Sequence, residues 1–67
     1  MTSEARARRR QELEIAKGLA EDLYELVREA ADKFPEGSLE RAKHLEEAAK
    51  HLKDKQEIEQ ELRQYLN

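Results

Sequence analysis

Phe34-Pro35-Glu36-Gly37-Ser38 is the stretch that decides how this chain folds. Proline carries no backbone N–H, and its ring pushes the preceding residue out of the helical region, so Pro35 ends whatever helix reaches Phe34. Gly37 admits a positive φ at little steric cost, and the Ser38 hydroxyl can accept from the first free N–H groups of a following helix. A helix stop, a reversal and a helix start therefore stand together within five residues. They divide the 67 residues into two long amphipathic patterns of nearly equal length. The expected fold is all-α: an antiparallel helical hairpin with helices over about residues 3–34 and 38–66.

Upstream of the turn, Leu13, Ala16, Ala20, Leu23, Val27, Ala30 and Phe34 recur at alternating steps of three and four. That spacing is a heptad seam, and Ser3 or Thr2 is its expected N-cap. Leu19 and Leu26 widen the same face, and Ala31 borders it on the other side. The stripe is broader than one neighbouring helix requires, so helix 1 is expected to meet more than one. Gly18 lies opposite the seam, either as a surface glycine or at a close backbone approach. No large apolar residue precedes Leu13, and residues 1–12 read as a basic arm that overhangs the core or meets something else.

Downstream, the pattern moves. Ala42, Leu45, Ala48, Ala49 and Leu52 share one face, whereas Ile58, Leu62 and Tyr65, with Leu66 beside them, share another. At about 100° per residue these faces differ by roughly 100°, far more than supercoiling absorbs. Either helix 2 is continuous and changes partners, or it breaks near Lys53-Asp54-Lys55, with Asp54 capping a short third helix. Nothing in that segment forces a stop, and the continuous helix is the expectation.

Charge supports the hairpin. Residues 1–17 carry a net +2, residues 18–37 −4, residues 38–55 +1 and residues 56–67 −2. Folding back at Gly37 sets the basic start of helix 1 beside the acidic end of helix 2, and the acidic end of helix 1 beside the basic start of helix 2. Exposed pairs contribute only about 0–1 kcal/mol each, so they choose orientation more than they stabilise.

One small domain, residues 1–67, is all this length allows. Charged residues make up 43% and aromatic residues 4%, leaving little to bury. Ordering such a chain costs on the order of 100 kcal/mol, which a two-helix core barely offsets. There is no cysteine for a disulfide, and no Cys/His cluster with zinc spacing. Self-association is the remaining common stabiliser, and a homo-oligomer, most simply a dimeric four-helix bundle, is expected. Its core or interface would comprise Leu13, Leu19, Ala20, Leu23, Leu26, Val27, Phe34, Leu45, Leu52, Ile58, Leu62 and Tyr65. A stripe of this kind also suits a specific protein partner.

Other chemistries find little support. His44, Glu47 and His51 lie on one side of helix 2. The two histidines are two turns apart, too far to share one metal within a helix, and no metal or cofactor is expected. They read as boundary residues of a helical core. Hydroxyls are few and no glycine-rich phosphate loop is present, so an enzyme is not expected. Arg6, Arg8, Arg9 and Arg10 form the one basic cluster. These residues resemble the arginine-rich helices with which phage antitermination proteins bind RNA hairpins, which implies salt-dependent phosphate contacts. Against this, Glu4, Glu12 and Glu14 stand nearby and no aromatic residue is at hand to stack on a base. Nucleic acid is therefore a secondary candidate. No apolar run spans a bilayer and the mixed charges do not suit a membrane surface. A cytoplasmic setting is the expectation.

Over its whole length the chain resembles computationally designed helical bundles. Ala, Glu, Lys, Arg and Leu dominate, one Pro-Glu-Gly-Ser turn joins the helices, and local propensity agrees with pattern. That resemblance implies a scaffold without catalytic activity. Gly18, the moving stripe and the polar tail depart from the idealised pattern and fit a natural origin equally. In architecture alone the chain resembles Rop-type plasmid repressors, hairpins that dimerise into four-helix bundles.

Overall fold

The computed structural model describes residues 2–65 and contains two α-helices, α1 (Ser3–Ala31) and α2 (Leu39–Arg63). They pack side by side in an elongated body of 51 × 14 × 14 Å. Three ion pairs fix their antiparallel sense. Arg9 meets Glu61 at 2.7 Å, Glu21 meets Lys55 at 3.4 Å, and Asp32 meets Arg41 at 3.5 Å. The basic start of α1 thus lies against the acidic end of α2, and the acidic end of α1 against the start of α2, as the charge pattern predicts.

Local chemistry sets the ends of the helices. The Thr2 hydroxyl accepts from the Ala5 N–H at 3.1 Å and caps α1. The Ser38 hydroxyl accepts from the Arg41 N–H at 3.2 Å and caps α2. Gly37 has φ +81°, the left-handed conformation that the turn requires. α1 ends at Ala31, three residues short of the expected Phe34. There the Lys33 and Phe34 N–H groups donate to Ala30 and Ala31, three residues back, so the chain tightens before Pro35 instead of staying α-helical. α2 likewise stops at Arg63, while Leu66 lies outside the described residues.

The faces in contact are turned from those the sequence suggests. On α1 the line toward α2 runs Leu13, Lys17, Ala20, Tyr24, Val27 and Ala31, and Phe34 continues it beyond the helix end, all buried or half-buried. Ala31, expected at the border, is fully buried, whereas Leu23, expected in the seam, is 44% exposed. On α2 the inward line is Arg41, His44, Ala48, His51, Lys55, Ile58, Leu62 and Tyr65, again buried or half-buried throughout. This line alternates threes and fours without interruption, so the expected shift of the face near residues 53–57 is corrected: α2 is continuous and keeps one face on α1. Polar residues hide that continuity in the sequence. Arg41 and Lys55 cover the seam with their aliphatic stems while their charged heads reach Asp32 and Glu21.

The buried hydrophobic residues are Leu13, Ala20, Ala31, Ala48 and Leu62. Three of the five are alanines, which let helix backbones approach closely but remove little surface from water. Gly18 is a surface glycine, because a Cβ there would meet nothing within 4 Å.

Candidate interaction surface

A two-helix hairpin has two broad sides, and on this one they differ. Ile15, Leu19, Leu23 and Leu26 of α1 are 59%, 58%, 44% and 64% exposed. At about 100° per residue they lie about 80–160° around the helix from the middle of its line of contact with α2, all to the same side of it, so they form one stripe that runs from the edge of one broad side toward the back of α1. On that side a shallow groove runs between the helices. Leu13 and Ala20 floor it, Ala16, Leu19 and Leu23 wall it from α1, and His51, Asp54 and Ile58 wall it from α2. The opposite broad side carries a smaller apolar strip, Ala42, Leu45 and Ala49 of α2, all exposed.

The residues expected to form the core or interface therefore separate into three groups. Leu13, Ala20 and Leu62 are buried between the two helices. Val27, Phe34, Leu52, Ile58 and Tyr65 are half-buried along the edges of that contact. Leu19, Leu23, Leu26 and Leu45 stay exposed and take no part in the core of a single hairpin. Ile15 was missed by sequence reasoning, although its place four residues before Leu19 puts it on the same stripe.

Residues 3–12 are all exposed, and two of them, Arg6 and Arg9, are engaged at the C-terminal end of α2. The Arg6 guanidinium donates to the Gln64 carbonyl at 2.6 Å and stands over the Tyr65 ring, 5.0 Å from its centroid. Arg9 is paired with Glu61 and also with Glu12 at 3.5 Å, and the Glu61 carboxylate raises the Arg9 pKa above its ordinary value. The Glu61 oxygen nearest Arg9 is shielded from water, and the guanidinium 2.7 Å away is the charge that compensates it. Arg10 pairs with Glu14 at 3.4 Å. Arg8 makes no ion pair among the described residues. The four arginines thus serve different neighbours and do not line up as one cationic strip.

The histidines sit at the edge of the helix contact. His44 Nδ1 is 2.7 Å from the Glu40 carbonyl, and since a carbonyl only accepts, the proton is on Nδ1. Its ring lies 5.1 Å from that of Phe34 and closes the turn end of the hairpin. His51 Nε2 is 3.9 Å from Glu47, at the rim of the apolar groove. Among the described residues no group of three or more His, Asp or Glu side chains is placed to hold a metal ion, and no helix is long and apolar enough to cross a membrane.

No known protein family, curated protein or solved structure matches this chain. Its functional reading rests on its own surface.

Proposed function

We propose that this chain is a non-catalytic structural and interaction module, a helical hairpin that pairs with a second copy to form a four-helix bundle. The observation that carries this reading is the exposed stripe Ile15, Leu19, Leu23 and Leu26 beside the groove. Contiguous apolar surface of this kind, rimmed by polar residues, marks a contact face. The area agrees. The chain exposes 5380 Å², whereas a compact monomer of its mass is expected to expose about 4,400 Å². The excess, roughly 1,000 Å², is about what each partner contributes to a standard interface. The chain-like composition of designed bundles suits such a scaffold.

Sedimentation equilibrium over a wide concentration range tests the proposal, with helix content followed on the same samples. A mass that rises from 7.9 kDa toward twice that value, and a Leu19→Lys/Leu26→Lys double variant that stays helical but monomeric, are the expected results. A helical wild-type monomer at every concentration would refute self-association and leave the stripe to a different protein partner.

A further inference from the structure

Given the self-association proposed above, on which this inference rests, the charges around the apolar face fix how the second copy lies. We propose that the copies pack broad side to broad side and antiparallel, with the two-fold axis crossing α1 at Asp22–Leu23 and α2 near Leu52. Each α1 then lies on the partner's α1, and each α2 on the partner's α2.

Three observations converge on this axis. The first is the stripe of α1. Ile15, Leu19, Leu23, Leu26 and Ala30 are distributed evenly about Leu23. An isologous antiparallel contact needs that symmetry, because each residue before the axis must face one equally far beyond it. Leu19 would meet the partner's Leu26, and Leu23 its own copy.

The second is the outward line of α2 on the same broad side. Lys43 and Lys50 precede Leu52, and Asp54, Glu57 and Glu61 follow it. Reversal about Leu52 sets Lys50 against the partner's Asp54, and Lys43 against the partner's Glu61. A parallel arrangement would set like charges together. The same reversal sets Glu47 against the partner's Glu57, one like-charge contact beside two opposite-charge ones, and Asp22 close to the α1 axis also runs against the pattern; the opposition of basic and acidic halves remains the larger effect. On α1 the same reversal sets Glu12 against the partner's Lys33 and Arg8 against the partner's Glu36. Arg8, Lys33, Glu36, Lys43, Lys50 and Asp54 make no ion pair within the hairpin among the described residues and are free for a second copy, whereas Glu12 and Glu61 would be shared with Arg9.

The third is register. The two axis positions are inferred from separate helices, one from apolar side chains and the other from charges. One axis must cross both at the same height. The Glu21–Lys55 ion pair places Asp22–Leu23 level with the turn of α2 just before Lys55, where Leu52 lies. The hairpin's own register brings the two centres together.

The native chain has no cysteine, so disulfide trapping reads the geometry directly. Leu23→Cys, Leu19→Cys and Leu26→Cys are made separately, and each is checked for helix content and for mass under reducing conditions. In a thiol–disulfide buffer, Leu23→Cys is expected to form a covalent dimer. Leu19→Cys and Leu26→Cys are each expected to remain largely uncrosslinked alone but to join when mixed, with one carrying a mass tag. Crosslinking of all three variants to themselves would show a parallel pair and overturn the proposal. A reduced dimer that does not crosslink through Leu23→Cys would overturn the axis while leaving self-association standing. Reduced samples that remain monomeric would remove the self-association reading, and this one with it.

Discussion

Leu13→Ala and Leu26→Ala remove the same atoms from the same helix, yet the structure assigns them opposite consequences. Leu13 is 5% exposed and is, among the described residues, one of only two large side chains buried between the helices. Leucine-to-alanine changes in cores cost about 2–5 kcal/mol, and the low end applies where the site can relax. Leu13 floors an open groove, so a loss of about 2–3 kcal/mol is expected. A chain of this length has a total stability of roughly 3–10 kcal/mol. The melting temperature should therefore fall by about 10–20 °C, at about 4–8 °C per kcal/mol. Leu26 is 64% exposed, and its truncation should change the stability of a single hairpin by less than about 0.5 kcal/mol. Its effect belongs to association. Completing the burial of a leucine already one-third covered contributes about 1–2 kcal/mol per copy, hence about 2–4 kcal/mol per dimer. The dissociation constant should rise roughly 30- to 1,000-fold. Urea and thermal unfolding followed by circular dichroism, run at dilute and concentrated protein, separate the two, because linkage to association makes the apparent stability depend on concentration. Leu13→Ala should lower stability at both concentrations and Leu26→Ala only at the higher one. Equal behaviour of the two variants, or a loss below about 1 kcal/mol for Leu13→Ala, would refute the assignment of faces.

Two further outcomes are expected. Alanine should stabilise at Gly18 and destabilise at Gly37, although a Cβ meets no atom within 4 Å at either position. Gly18 is inside α1, where alanine is favoured by about 1 kcal/mol, whereas Gly37 has φ +81°, which costs an L-residue about 1–2 kcal/mol. Melting curves that move in the same direction would show one of the two conformations to be misassigned. Lys50→Glu and Asp54→Lys chains should each self-associate more weakly than the parent, by about 1–2 kcal/mol for two exposed pairs made repulsive, but prefer each other when mixed. Native mass spectrometry reads the ratio of mixed to like dimers. A random ratio at low salt would count against the antiparallel pairing, and the preference should fade in about 1 M salt, where charges are screened beyond about 3 Å.

Legibility in the sequence followed the range of the interaction concerned. The turn was readable because Pro35, Gly37 and Ser38 act on their immediate neighbours, and the structure places the positive φ and the cap where those residues predict. The hairpin's orientation was readable from blocks of charge, which need no atomic detail. The inward face of α2 was readable only in part, since Ala48, Ile58, Leu62 and Tyr65 stand among the apolar positions but the residues between them do not. A search for apolar periodicity selects Ala42, Leu45 and Ala49, all exposed, and passes over Arg41, His44, His51 and Lys55, all half-buried. The intramolecular partners of Arg6 and Arg9 were not readable for a related reason, since Gln64 and Glu61 stand more than fifty residues away in the chain.

By itself, then, the sequence determined two helices, their caps, the reversal at Gly37 and the antiparallel sense, all of which follow from steric preference within a few residues or from charge summed over tens of them. Only the tertiary structure decided which side of each helix faces the other. Rotating a helix about its axis exchanges one set of contacts for another of similar energy, and when long stems such as Lys55 can line a seam as well as leucine can, hydrophobicity no longer selects the angle. The rotation that results buries Leu13 and Leu62, and it leaves Leu19, Leu23 and Leu26 on the surface.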